Sequence, residues 1–390
     1  MKRSGADMAA VAKPRVLFVI NSLAGGGAER VLLTLLEGSE GLRDRVDFSL
    51  ALLDDEPRAY SPPGWLTVHQ LDVRRSLLRS ILQLRRLVRQ QKPDLIVSFL
   101  TRSNLASTVV ARGSGLPNVI SERANTSGHF KPTLAGNLSR RLVAALYPRA
   151  SRVIAVSRGI ADDLVRNFGV RRDRMDVIAN PLPADRVQHL ARQESGLSVP
   201  RPFCVAVSRL TPGKNVRMVV DAFARSGLPG SLVIFGEGPE RAAIEAAIEQ
   251  HGLAGRVLLP GFASNPFSTM RHADFYVSAS NGEGFPNSLV EALALGLPAI
   301  ATNCASGPSE ILADLSREEV HGLTIAPYGI LTDTNAVDQL ADAMQAISGE
   351  AERLRAAGPV RAAEYSVERA CTRYWETIAH ALDRPSLLSR

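Results

Sequence analysis

Residues 273–302 read ADFYVSASNGEGFPNSLVEALALGLPAIAT. The apolar run DFYVSAS ends in a polar, glycine-rich turn, and PAIAT is a second short apolar run. Between them Pro286 suits a first helical turn and Gly296 the far end, so a helix is expected from about Pro286 to Leu295. Strand, turn, helix and strand in this order form a β-α unit, which builds a mostly parallel sheet.

The same rhythm runs outward in both directions. Towards the N-terminus of this half lie FCVAVSRL, SLVIFGEG and RVLLPG, and beyond PAIAT lies GLTIAP, with helices such as ERAAIEAAIEQHG between strands. The first half repeats the architecture with RVLFVIN, DFSLALL, LTVHQLD, DLIVSFL, NVISE and RVIAVS. Its helix RRSLLRSILQLRRLVRQ has Leu77, Ile81, Leu84 and Val88 on one stripe, while Arg75, Arg79, Arg86 and Arg89 lie off it and are expected outward. The stretch 180–202, NPLPADRVQHLARQESGLSVPRP, is proline-rich and weakly periodic, as a connection between domains is. The expected organisation is a disordered lead (1–13), a Rossmann-like domain (14–185), a connection (186–201) and a second Rossmann-like domain (202–365). An amphipathic C-terminal helix (366–390) is expected to pack back toward the first domain. Open parallel sheets bind ligands at the carboxyl ends of their strands, so chemistry is expected in the cleft where two such domains face each other.

With 390 residues and 45% hydrophobic content, the chain suffices for two cores of ordinary size. No apolar run approaches the roughly eighteen residues of a membrane-spanning helix, and MKRSGADMAAVAKP lacks a secretory apolar core, so a cytoplasmic protein is expected. Cys204, Cys304 and Cys371 are widely spaced and odd in number, which fits small apolar core residues rather than disulfides or a metal knuckle. The net charge is uneven: residues 1–195 carry 30 Lys/Arg against 18 Asp/Glu, the remainder 16 against 21. A basic first half suits a polyanion, whether nucleic acid, an anionic membrane surface or a diphosphate-linked lipid.

Three motifs carry chemistry. Gly25-Gly26-Gly27 follows the first strand and opens a helix, where backbone can approach a ligand and free N–H groups favour an anion. It is not a dinucleotide fingerprint, and Glu29 in the first turn opposes a phosphate, so a tight packing turn is the competing reading. Arg209 and Lys214 sit in SRLTPGKN after FCVAVS, two cations able to grip a diphosphate and stabilise charge building on it. Glu283 and Glu291 bracket the helix start of GEGFPNSLVE, where the N–H groups of Phe285 through Leu289 lack helical partners. Those N–H groups can meet a diphosphate while the carboxylates accept from sugar and ribose hydroxyls. A glycosidase pair is the rival for two carboxylates, but a neutral glycan needs no adjoining anion site. Asp54-Asp55 and Asp162-Asp163 lack DxD spacing, and the seven histidines form no metal-binding pattern, so no metal and no cofactor is expected.

Taken together, GEGFPNSLVE, SRLTPGKN, GEGPE, AIATNCASGPSEIL, GGGAER, VIAVSRGIADDL and VIANPL resemble glycosyltransferase family 4 along nearly the whole chain. The resemblance implies the GT-B fold and a retaining, metal-independent glycosyltransferase of the bacterial surface-polysaccharide or lipid-linked glycan type. It implies that Arg209 and Lys214 bind the donor diphosphate, that Glu283 contacts the transferred sugar and that Glu291 holds the ribose. Gly282 and the backbone of Phe285, Pro286, Asn287, Ser288 and Leu289 would line the donor. The turns Gly236-Glu237-Gly238 and Gly261-Phe262 would flank the base, and the Gly25–Gly27 loop would approach donor phosphate and acceptor. Many members carry a histidine after an N-terminal strand; here that turn reads Ser121-Glu122-Arg123, a string similar to that of members extending lipid-linked glycans with N-acetylhexosamines.

The expected reaction moves a sugar from a nucleotide-sugar donor, UDP-N-acetylhexosamine ahead of other UDP-hexoses or GDP-mannose, to a glycan or lipid-linked acceptor. An anionic inner-membrane surface is an expected partner; nucleic acid is not, since few aromatics are available for stacking. A sugar-nucleotide epimerase shares the architecture but needs no acceptor, and a nicotinamide dehydrogenase lacks its fingerprint glycines and acid.

Overall fold

The computed structural model describes residues 12–130 and 133–387, so the expected lead falls, apart from Ala12 and Lys13, outside the described residues. The chain forms two seven-stranded sheets. The first contains β1 (Arg15–Ile20), β2 (Asp47–Leu52), β3 (Thr67–Gln70), β4 (Leu95–Phe99), β5 (Asn118–Glu122), β6 (Arg152–Ala155) and β7 (Met175–Val177), in the order β3-β2-β1-β4-β5-β6-β7. The second contains β8 (Phe203–Val207), β9 (Ser231–Phe235), β10 (Val257–Gly261), β11 (Phe275–Ser278), β12 (Ala299–Thr302), β13 (Thr324–Ala326) and β14 (Gly329–Thr332), ordered β10-β9-β8-β11-β12-β14-β13. Pairing is parallel from β10 to β14, and only the edge pair β13–β14 is antiparallel. β4 and β5 are buried at every residue, as strands covered by helices on both faces must be.

Every strand read from the sequence is present, and two more appear. β7 and β14 are three and four residues long, and β14 takes the inner place beside β12 while GLTIAP supplies the edge. The helix Val337–Ala363 lays Leu340, Met344 and Ile347 into the core of the second sheet.

By packing, the chain divides into two compact units. One comprises Met1–Ser121, Arg149–Val153 and Trp375–Arg390, the other Glu122–Pro148 and Ile154–Tyr374. The two sheets fall on either side of residues 186–201, whereas the compact units part earlier. The reason is local: Glu310 accepts from the N–H groups of Arg158 (2.7 Å) and Gly159 (2.9 Å), capping the helix Arg158–Phe168. A Cβ on Gly159 would press on Ser306, so only glycine permits this contact. Within 186–201 the helix Ala184–Ala191 ends, having placed Val187 and Ala191 in the second core. The C-terminal helix Val367–Ala381 contributes to both units; in the first, Trp375 donates to Ser39 Oγ (2.8 Å) and meets Phe48 edge-on.

The arginine-rich helix Leu77–Gln91 keeps its expected face, with Arg75, Arg79, Arg86 and Arg89 exposed, and adds two exposed leucines outside it. Ser80, Leu84, Leu87 and Val88 are buried and Leu77 and Ile81 half-buried, but Leu78 and Leu82 are 66% and 58% exposed among the arginines.

Candidate active site

In the second sheet the connections from β8 lead one way to β9 and β10, and those from β11 the other way to β12, so the strand order reverses between β8 and β11. Turns at the carboxyl ends of such neighbouring strands diverge and leave a crevice, the usual place for a ligand in an open parallel sheet. The turn after β8 carries Arg209 and Lys214; the turn after β11 carries Gly282, Glu283 and the start of the helix Asn287–Ala294.

These turns are tied to one another by backbone. Asn281 N–H donates to the Gly213 carbonyl (2.9 Å), Leu210 N–H to that of Glu237 (2.9 Å), and Gly236 N–H to that of Gly261 (2.8 Å). Gly236 and Gly238 have φ of 143° and 159°, and a side chain on either would overlap the Ser208 or Leu210 carbonyl. Glycine is therefore required for the β9 turn to lie against the β8 turn.

Side chains converge across the reversal. Lys214 Nζ donates to Glu283 Oε1, and Ser280 Oγ donates to the same oxygen at 2.6 Å. Ser306 Oγ, from the turn after β12, holds the main-chain carbonyl of Glu283 at 2.5 Å, and Thr302 Oγ1 holds that of Ser280 at 2.6 Å. Glu283 is thus fixed at both ends, with one oxygen spoken for. Arg209 is exposed and, among the described residues, its guanidinium makes no hydrogen bond or ion pair. It is a cation available to a ligand.

The helix begins one residue later than expected, at Asn287, with Pro286 as its cap, and runs to Ala294. Leu289 is buried and Ser288 Oγ lies 2.8 Å from the hydroxyl of Tyr276, whose proton burial holds more tightly than usual. Glu291, in the second turn, is 7% exposed. Phe285 meets Tyr365 edge-on at 5.1 Å, and the Cys304 thiol, sealed behind Glu283, is pushed up to about 12 by burial. Glu237, in the turn after β9, pairs with Arg241 at the start of the helix Arg241–Gln250, and Phe262 is 79% exposed.

The remaining expected residues belong to the turn after β1 and to the end of β5 and the turn after it. Gly25 has φ of 113°, and Gly26 caps the helix Gly27–Gly38, where a side chain would collide with the Glu29 carboxylate. The beginning of that helix therefore has an acidic group against it, as the sequence warned. Ser121 is fully buried, its carbonyl accepting from Asn104. Glu122 is 1% exposed and accepts from the N–H groups of Arg123 and Ala124 and from the Tyr147 hydroxyl (2.5 Å). Arg123 is held by Asn180 Oδ1 and by the Tyr374 hydroxyl (3.0 Å).

Sequence reading missed Ser280, Ser306 and Asn180. Asn180 was absorbed into the connection between domains, though its VIANPL string was part of the family likeness. The acidic pairs prove structural: Asp54 is the buried counter-ion of Arg102, and Asp163 accepts from Ser127 and Asn167. Among the described residues no group of three or more His, Cys, Asp or Glu side chains is placed to hold a metal ion, and no helix is long and apolar enough to cross a membrane.

Residues 25–186 match the family described as Glycosyltransferase Family 4, and residues 187–359 that described as glycosyl transferases group 1. The chain belongs to the GT-B glycosyltransferases. It is 29% identical over 307 residues to the N-acetylgalactosamine-N,N'-diacetylbacillosaminyl-diphospho-undecaprenol 4-alpha-N-acetylgalactosaminyltransferase of Campylobacter jejuni, covering 76% of this chain and 82% of that one. It is also 29% identical to the 2-deoxystreptamine N-acetyl-D-glucosaminyltransferase of Streptomyces fradiae, over 82% of each chain. The crystal structure of Anabaena Alr3699/HepE in complex with UDP superposes with a TM-score of 0.74 at 20% identity, covering 94% of this glycosyltransferase and 100% of that chain.

Proposed function

We propose that this glycosyltransferase moves an N-acetylhexosamine from a UDP donor to a glycan or polyprenyl-diphosphate-linked acceptor in cell-surface polysaccharide synthesis, with retention at the anomeric carbon. The observation that carries the donor reading is the meeting of Lys214 and Glu283 across the strand reversal, beside an unpaired Arg209 and a helix start. Two cations and a row of N–H donors suit a diphosphate, and a fixed carboxylate suits sugar hydroxyls. The sugar and the acceptor rest on the names of the relatives from Campylobacter jejuni and Streptomyces fradiae, and the base on HepE with UDP.

The acceptor hydroxyl attacks the anomeric carbon on the face from which the diphosphate departs. The carbon–oxygen bond to the diphosphate breaks, the leaving diphosphate takes the hydroxyl proton, and the products are UDP and the extended acceptor. Arg209 and Lys214 stabilise the charge growing on that diphosphate, the role a divalent metal would otherwise take. Glu291 holds the ribose, and the Gly236–Gly238 and Gly261-Phe262 turns flank the base.

The acceptor is expected at an anionic inner-membrane surface. From Arg74 to Lys92 the chain holds seven Lys/Arg and no acid. The guanidinium groups of Arg79, Arg85, Arg86 and Arg89 make no hydrogen bond or ion pair among the described residues, all four residues are exposed, and Leu78 and Leu82 stand between them. An exposed helix face of leucine and arginine suits the interface of an anionic bilayer.

A thermal-shift screen of UDP, GDP, dTDP and their sugars identifies the donor, because a tight ligand raises the melting temperature by mass action. UDP release that rises only on adding acceptor, with an α-linked product from an α-linked donor and full activity in chelator, is the expected outcome. Sugar interconversion without acceptor would point instead to an epimerase.

A further inference from the structure

The geometry points to Asn180 as a positioning residue that fixes the orientation of the Asn287 amide, so that Asn287 offers N–H rather than carbonyl to the donor diphosphate. This rests on the donor reading above and adds to it a side chain contact and the residue that orients it.

Asn180 follows β7 and is 8% exposed. Its Oδ1 accepts from the guanidinium of Arg123, and a guanidinium has nothing but donors to offer. Asn180 is therefore locked with Nδ2 on its other side, where it donates to Asn287 Oδ1 at 2.6 Å and reaches the Phe285 carbonyl at 3.5 Å. Arg123 is itself anchored, donating to the Tyr374 hydroxyl at 3.0 Å. Orientation is thus passed along a partly buried polar chain from Tyr374 through Arg123 and Asn180 to Asn287.

Asn287 is the first residue of its helix, half-buried, and with Oδ1 taken its Nδ2 makes no hydrogen bond among the described residues. The first N–H groups of a helix likewise lack intrahelical partners. Asn287 Nδ2 and the first N–H groups of the helix are then all donors, the arrangement an anionic oxygen prefers, although the Leu289 N–H is already taken by the Pro286 carbonyl (3.2 Å). A flipped Asn287 would set a carbonyl oxygen in the same place and repel the phosphate.

Asn180→Asp tests this directly. A carboxylate keeps the Arg123 contact but can only accept, so Asn287 turns its Nδ2 towards it and its carbonyl towards the donor. Calorimetric titration with UDP is expected to show a dissociation constant raised about tenfold, with donor KM rising more than kcat falls and acceptor KM unchanged. Asn287→Ala should lose a similar factor. The double variant Asn180→Asp, Asn287→Ala should bind UDP no more weakly than Asn287→Ala alone, because the first change acts only through the second residue. A residue serving only the fold would lower the melting temperature and leave the UDP constant alone. Unchanged UDP binding in Asn180→Asp, or additive losses in the double variant, overturns the inference. Failure of UDP, GDP and dTDP alike to stabilise the unaltered protein overturns the donor reading beneath it.

Discussion

The carbonyl oxygen of Arg123 occupies the place where a side chain on Gly284 would begin. The two residues lie far apart in the chain, yet this backbone-to-backbone contact seats the Glu283 turn against the end of β5. On the other side Gly307, at φ of 96°, leaves room for Pro286, whose Cδ would stand 2.7 Å from a Cβ there. The turn that carries Glu283 is held between two backbones that cannot yield.

Gly284→Ala is therefore expected to destabilise the protein by a few kcal/mol, in the range of overpacked cores, and to abolish donor binding with it. Gly282, one residue before Glu283, has nothing within 4 Å of a notional Cβ. Gly282→Ala should melt like the unaltered protein while its donor KM rises. Thermal melts and donor titrations of the pair check both outcomes, and equal melting temperatures would contradict the clamp.

Arg209→Ala removes a cation whose guanidinium has no partner among the described residues, so the melting temperature should hold while kcat falls about 10²-fold or more. Lys214→Ala should cost at least as much in kcat and some stability besides, since it leaves Glu283 with Ser280 alone on Oε1. In both, turnover is expected to fall further than UDP affinity. Normal turnover in Lys214→Ala would remove that residue from the mechanism.

In the first unit Asp54 is 5% exposed. Burial raises its carboxyl, but hydrogen bonds from the Arg102 side chain and the Arg75 N–H, with their charges, outweigh this and hold it below the ordinary aspartate value. A depressed acid contributes stability above its unfolded value and loses it as the pH falls toward its folded one. Asp54→Asn should cost on the order of 2–3 kcal/mol near neutral pH, and the gap in melting temperature should close below about pH 4. A gap independent of pH would refute the ion pair's contribution.

Leu78→Ala with Leu82→Ala should weaken binding to anionic phosphatidylglycerol vesicles several-fold in cosedimentation, without altering turnover on a water-soluble acceptor. Reversing Arg85 and Arg86 to Glu should weaken it further and flatten its dependence on salt. Equal binding by all variants would move any membrane contact away from this helix.

The strands and the polar turns were legible because each is decided within a few residues: apolar runs, Gly and Pro at their bounds, and a seven-residue gap between Glu283 and Glu291. β7 and β14 were not, because MDV is broken by an acid and GILT follows GLTIAP after a single residue, so neither stood out as an apolar run of its own. The exposure of Leu78 and Leu82 was not read either, since both fall off the stripe of Leu77, Ile81, Leu84 and Val88 and only the packed helix shows them bare among the arginines. Asn180 looked like linker because proline-rich surroundings say nothing of a partner 107 residues away.

The sequence by itself determined which segments become strands, which turns hold glycine, cation and carboxylate, and that the cations and carboxylates of those turns lie in one half of the chain. Only the tertiary structure decided that Lys214 meets Glu283, that Ser306 and Ser280 fix that carboxylate, and that Asn180 orients Asn287. Local propensity acts through neighbouring residues and is written in order along the chain. Hydrogen bonds between side chains depend on distances of about 3 Å, which arise only when the sheet has closed and brought remote turns to one edge.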